Sequence, residues 1–242
     1  MRRGAKISVI IPALNEEQAI GHVVSAIPAW VDEVIVVDNG STDKTAEVAR
    51  AHGARLIGEP QRGYGAACLA GLAALNQPDI VVFLDGDFSD HPEEMHLLVD
   101  PIINDEAEVV IGSRVMGRAE PGALLPQARF GNWLACRLIR LRWGVAFTDL
   151  GPFRAIRYAT LAGFDMQDRD YGWTVEMQIK AARDGVRIKE VPVSYRARIG
   201  RSKVSGTIKG VLGAGTKILF TIFRYGIRTP AHARQSDRKQ RS

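Results

Sequence analysis

Cysteine is nearly absent from this 242-residue chain: Cys68 and Cys136 are the only two, at no metal-ligand or redox spacing. That excludes a cysteine-built metal centre or a disulfide framework and points to a reducing cytosol. Long apolar runs are missing too. No stretch reaches the ~18 residues that a membrane span needs. Lys6 to Leu14 leads straight into a Pro-Ala-Leu-Asn turn, so no signal peptide is expected. Aromatic residues make up 7% and lack the interleaving of RNA-binding modules, so nucleic acid is not an expected partner. No internal repeat occurs. What remains, 46% hydrophobic and 24% charged residues, fits one large α/β domain with a full core.

Positive charge is plentiful and uneven. The net charge is +5, and the C-terminal third carries much of it, from Arg183 to Arg241. Such asymmetry suits an anionic membrane surface or phosphorylated substrates.

Short β-branched runs alternate with helical patterns along the first half. Strands are expected at Ser8–Ile11, Glu33–Val37, Arg55–Ile57, Ile80–Leu84 and Glu108–Gly112. Helices are expected from Asn15, as a possible N-cap, to about Ala26, over Asp43–His52, from Gly63 to about Asn76, and over Pro92–Ile103. Strands alternating with helices imply a mostly parallel sheet with right-handed crossovers. The second half is less regular. Helices are expected over Pro126–Trp143 and Trp173–Asp184, short strands around a Gly-Pro turn in Thr148–Ile156, and a strand within Val186–Tyr195. Thr229 onward reads as a disordered basic tail.

Polar residues gather where the strands run out. Asp85-Gly86-Asp87 places two carboxylates one residue apart after the fourth strand, where open α/β sheets bind ligands. Carboxylate oxygens there suit Mg²⁺ or Mn²⁺ bridging to a phosphate. Asp-Gly after a strand is equally a common turn. Asp38-Asn39-Gly40-Ser41-Thr42-Asp43 follows the second strand and Gly112-Ser113-Arg114 the fifth. Asp38 offers a carboxylate acceptor at that strand end. Asp43 either belongs to that motif or stabilises the helix start. Gly63-Tyr64-Gly65 is either a tight turn or a place where backbone approaches a diphosphate.

Taken in order, these segments resemble the family 2 glycosyltransferases of the GT-A fold, most closely the dolichyl- or polyprenyl-phosphate mannose and glucose synthases. The matching segments include Ser8–Glu16, Val36–Thr45, Gly63–Ala67, Phe83–Ser89, Gly112–Arg114, Arg129–Asn132, Thr148–Arg154 and Arg198–Lys203, spanning about residues 6 to 204. The resemblance implies that Pro12, Ala13, Asn15, Glu16, Asp38, Gly63, Gly65, Asp85 and Gly86 bind the nucleotide-sugar donor. Arg201, Ser202 and Lys203 would close over its diphosphate. Asp85 and Asp87 would hold Mg²⁺ or Mn²⁺, and Arg114 and Arg129 would bind an acceptor phosphate. Many relatives carry Asp where this chain has Asn39, which leaves the donor base open.

The implied reaction is inverting hexosyl transfer from GDP-mannose or UDP-glucose to a polyprenyl phosphate, whose oxygen is already ionised. A hydroxyl acceptor would instead need a carboxylate base, with Asp149 and Glu176 as candidates. A non-catalytic nucleotide-sugar module is a further alternative. The resemblance implies a catalytic domain over 1–204, and the apolar and basic pattern that follows adds an amphipathic helix over 205–228 and the tail over 229–242, where many relatives carry transmembrane helices. That helix would lie on the inner face of the membrane from the cytoplasmic side, or pack on the domain, on a second copy or on a membrane partner subunit.

Overall fold

The computed structural model describes residues 1–200 and 208–228. Arg201, Ser202 and Lys203 lie outside the described residues, as does the 229–242 tail. The strands are β1 (Ile7–Ala13), β2 (Glu33–Asp38), β3 (Arg55–Gly58), β4 (Ile80–Phe83), β5 (Val109–Ser113), β6 (Arg154–Arg157) and β7 (Ile188–Pro192). They form one sheet in the order β3-β2-β1-β4-β6-β5-β7. All run parallel except β6, which pairs antiparallel with both β4 and β5. β1, β4 and β5 are buried almost throughout, as parallel strands covered on both faces must be.

Alternation along β1 divides the core in two. Ile10 points into a cluster with Ala67, Cys68, Ile139, Trp173 and Ile222. Val9 and Ile11 point to the other face, against Ile20, Val23, Leu98 and Val99. The first face is covered by α3 (Tyr64–Ala73), α5 (Pro126–Trp143), α7 (Trp173–Arg183) and α8 (Ile208–Arg228). The second is covered by α1 (Ile20–Ala26), α2 (Thr45–Ala51) and α4 (Met95–Ile103). A short α6 (Tyr158–Gly163) follows β6. Among the described residues no helix is long and apolar enough to cross a membrane.

Three local expectations need correction. Asn15 is no N-cap: it holds φ +52°, and the helix begins only at Ile20. Its Oδ1 instead accepts a hydrogen bond from Thr42 N (2.8 Å), stitching the loop after β1 to the loop after β2. The second helix starts at Thr45, because Asp43 Oδ1 captures Thr45 N (3.0 Å) and ends the turn there. Between Thr148 and Ile156 only Arg154 onward is strand. Arg154 is fully buried and donates to the carbonyls of Leu150, Gly151 and Thr174, which holds the preceding segment as a folded loop.

Of the helix expected over 205–228, residues 208–228 are described, as α8, and they pack on the domain. Ile222 joins the core, Tyr225 Oη donates to Glu176 Oε1 (2.6 Å), and Arg142 Nη2 donates to the Gly226 carbonyl (2.7 Å).

Candidate active site

Because six of the seven strands are parallel, the ends of β1, β2, β4 and β5 share one edge of the sheet. Two cavities open there. The first, about 460 Å³, is walled by Pro12, Ala13 and Glu16 after β1, Asn39 after β2, Arg62 to Tyr64 entering α3, and Asp85 to Asp87 after β4. The second, about 340 Å³, lies between α5 (Gln127, Ala128, Gly131, Asn132) and α8 (Gly215, Ile218), with Arg114 and Tyr195 on its wall. Tyr64, Asp85, Asp87, Tyr171 and Arg198 line both. The cavities therefore meet at the two aspartates.

That junction is electrostatically unbalanced. Burial, and then the charge of Asp87, push the Asp85 carboxyl up to about 7. Its Oδ1 is buried without a hydrogen-bond partner among the described residues. Asp90, just behind, is also pushed well up by burial and by Asp85 and Asp87. Asp87 is anchored through Oδ1, which accepts from Ser89 N (2.9 Å). Its Oδ2 faces Arg198 Nη1 at 3.2 Å, and Arg198 Nη2 donates to Glu16 Oε1 at 2.9 Å. One guanidinium thus spans a carboxylate from each of two strand ends. No three His, Cys, Asp or Glu side chains form a metal cage among the described residues. A divalent ion at Asp85 and Asp87 would need phosphate oxygens and water to complete its shell, which is how Mg²⁺ is usually held.

The other expected residues are placed as follows. Pro12, Ala13, Glu16, Gly63 and Gly86 line the first cavity. Gly86 lets the chain after β4 pass close to β1: a Cβ there would come within 3.2 Å of the Pro12 carbonyl. Asn15 and Asp38 are not on the wall. Asp38 Oδ1 accepts from Ser41 N (3.1 Å) and shapes its own turn. Asn39 is on the wall, but its amide donates to the carbonyls of Glu59 and Gln61 and accepts from Gly63 N. Gly63 and Gly65 are both required by packing. A Cβ on either would collide with the backbone carbonyls of Arg169 or Asp168, where Ala66 N donates to Arg169 O (2.8 Å).

Both candidate bases are engaged by other side chains. Asp149 is 1% exposed and bound by Arg114 at both oxygens: Nη2 to Oδ1 (2.7 Å), and Nε and the backbone N to Oδ2 (2.8 Å each). Glu176 is fully buried and lines neither cavity. It pairs with Lys180 Nζ (2.7 Å) and accepts from Tyr225 Oη and from Gln167 N and Asp168 N. Burial alone would raise its pKa, but Lys180, Tyr225 and Asp168 N outweigh that and hold it low. Arg114 lies under the ring of Tyr195 (5.1 Å) and on the second cavity. Arg129 is exposed at the start of α5 and lines neither cavity. Arg198, to which the sequence reading gave no role, is the residue it missed. The signal was its place at the head of Arg198-Ile-Gly-Arg-Ser-Lys203, where the later basic residues drew the assignment.

The family model described as glycosyl transferase family 2 matches residues 8–161. A dolichyl-phosphate hexose transferase of Haloferax volcanii is 37% identical over 202 residues, covering 82% of this chain and 86% of that one. An undecaprenyl-phosphate mannosyltransferase of Micrococcus luteus is 32% identical over 225 residues, covering 85% and 90%. Among solved structures, glucosyl-3-phosphoglycerate synthase from Mycobacterium tuberculosis, in complex with Mn²⁺, UDP-glucose and phosphoglyceric acid, aligns with a TM-score of 0.75 at 27% identity, covering 92% of this chain and 80% of that chain. With its family model spanning the strand-end motifs and its sheet matching a GT-A enzyme, the chain belongs to glycosyl transferase family 2.

Proposed function

We propose that this enzyme transfers a hexose from a nucleoside-diphosphate sugar to a polyprenyl phosphate, with inversion at the anomeric carbon. The donor would occupy the first cavity, as the UDP-glucose complex of the structural neighbour suggests. The acceptor would occupy the second. An acceptor phosphate oxygen attacks the anomeric carbon, the bond from that carbon to the diphosphate oxygen breaks, and the nucleoside diphosphate leaves with the electron pair. Mg²⁺ or Mn²⁺, held by Asp85 and Asp87, would supply charge neutralisation at the diphosphate. Arg198, at the boundary of the two cavities, is placed to bind a diphosphate oxygen once it is released from Asp87.

One observation carries the choice of acceptor. Among the described residues the only carboxylates on the second cavity are Asp85 and Asp87. With Asp149 and Glu176 both engaged, no separate base is left to activate a hydroxyl. An ionised phosphate needs none, and two guanidinium groups, Arg114 and Arg198, lie on that cavity. The relatives named for dolichyl and undecaprenyl phosphates favour the same class. Such an acceptor places the enzyme on the cytoplasmic side, peripheral to the inner face of the membrane. A second reading, a soluble phosphorylated acceptor, is favoured by the phosphoglyceric acid complex of the neighbour.

The test is labelled transfer from GDP-mannose or UDP-glucose to polyprenyl phosphate in detergent, with Asp87→Ala alongside. Label entering the lipid phase, reduced at least ~10³-fold in the variant, supports the reading. Label passing only to a soluble acceptor refutes it.

A further inference from the structure

The chain's two longest stretches without Asp or Glu are 121–148 and 191–236. They are far apart in sequence, yet α5 lies wholly in the first and α8 in the second, and the two helices pack on each other. Each buries one side in the domain and leaves large apolar side chains on the other. On α5, Phe130 and Trp133 are 62% and 57% exposed, with ring centroids 5.8 Å apart. On α8, Phe220, Phe223 and Ile227 are 57%, 65% and 68% exposed. Exposed arginines accompany them: Arg137 and Arg140 on α5, Arg224 on α8. Phe130 and Trp133 flank Gly131 and Asn132, which wall the second cavity, and the exposed Leu219 follows Ile218 on its opposite wall.

We infer that the outward sides of α5 and α8 dock into the headgroup region of an anionic bilayer, with the mouth of the second cavity turned to the lipid. Apolar bodies with arginines among them and no acid at all suit that interface. Charge selects this occupant over a second copy. Two copies joined through these helices would face cations against cations with no carboxylate between them, and would bury like charge. Nucleic acid would match the charge but leave Phe220, Phe223 and Ile227 without an apolar partner. The inference rests on the proposed acceptor only for its purpose, and docking is measurable without turnover.

The full-length protein is floated with phosphatidylcholine vesicles, with and without phosphatidylglycerol, in the absence of donor and polyprenyl phosphate. Binding to the anionic vesicles, weakened by salt, is expected. Phe130→Ser/Trp133→Ser, Phe220→Ser/Phe223→Ser and Arg137→Glu/Arg140→Glu are each expected to lower the partition coefficient about tenfold or more. These positions are exposed, and an unchanged thermal midpoint checks that each variant folds. No binding to anionic vesicles overturns docking. So does binding that all three variants retain, or self-association in sedimentation velocity that the same variants abolish. Turnover is read separately on a short, water-soluble prenyl phosphate without vesicles. Vesicle binding without such turnover keeps the docking and removes the acceptor reading; turnover without vesicle binding does the reverse.

Discussion

Arg198 joins Asp87 of one strand end to Glu16 of another, at the point where donor and acceptor would meet. A guanidinium there neutralises Asp87 at a carboxylate that a divalent ion would also use. The two must then compete. Arg198→Gln is expected to bind Mn²⁺ several-fold more tightly than wild type in the absence of nucleotide, read by electron paramagnetic resonance titration of free Mn²⁺. Unchanged or weaker Mn²⁺ binding would show that the arginine does not occupy the cation's place. The Arg114–Asp149 pair poses the opposite case. Asp149 is buried with both oxygens on Arg114, so removing the arginine strands a carboxylate in the core. Arg114→Ala is expected to lower stability by about 3–5 kcal/mol, measured by chemical denaturation.

At this scale the sequence was informative about residue type and less so about partners. Asp85, Asp87 and Gly86 were legible because their meaning is local: a strand, its end, and two carboxylates one residue apart. The partners of Asp149, Glu176 and Asn15 were not legible, because each lies far along the chain: Arg114, Tyr225 and Thr42 respectively. Periodicity and spacing carry no record of such pairings.

The elements follow the same division. Strands with near-continuous apolar runs, and α5 and α7 with long helical patterns, were readable within a few residues. β6 was not, since nothing local distinguishes a strand inserted antiparallel between β4 and β5 from its neighbours. The role of α8 also needed the fold. Glu176 is the point to which it is tied, and that tie is pH-dependent. The folded-state pKa of Glu176 lies below its unfolded value of about 4.3, so its contribution is present above that pH and fades as pH falls through the lowered folded value. Glu176→Gln is expected to lose about 3–5 kcal/mol at neutral pH, and its deficit against wild type should shrink in strong acid. A deficit equal at both extremes would contradict this. α3 offers a steric counterpart. Gly65→Ala would drive a methyl into the Asp168 carbonyl, and a loss of about 1–3 kcal/mol is expected from thermal unfolding.

At the scale of the whole molecule, the parallel sheet explains why motifs scattered between residues 12 and 114 converge on one edge, where two cavities meet. The first cavity is built from the strand ends and α3. The second is closed by α5 and α8, which the chain reaches only in its latter half. The first cavity was therefore legible in the motifs. The second depended on how two late helices assemble.

The central claim is that the acceptor arrives already ionised, so that no carboxylate base is needed. The most direct test offers the enzyme one labelled donor with a short prenyl phosphate and, separately, the matching prenyl alcohol and 3-phosphoglycerate. The account predicts transfer to the prenyl phosphate alone, at a rate that Asp149→Asn and Glu176→Gln alter only as far as they alter folding. Transfer to the alcohol or to 3-phosphoglycerate, abolished by either substitution in a folded protein, would contradict it.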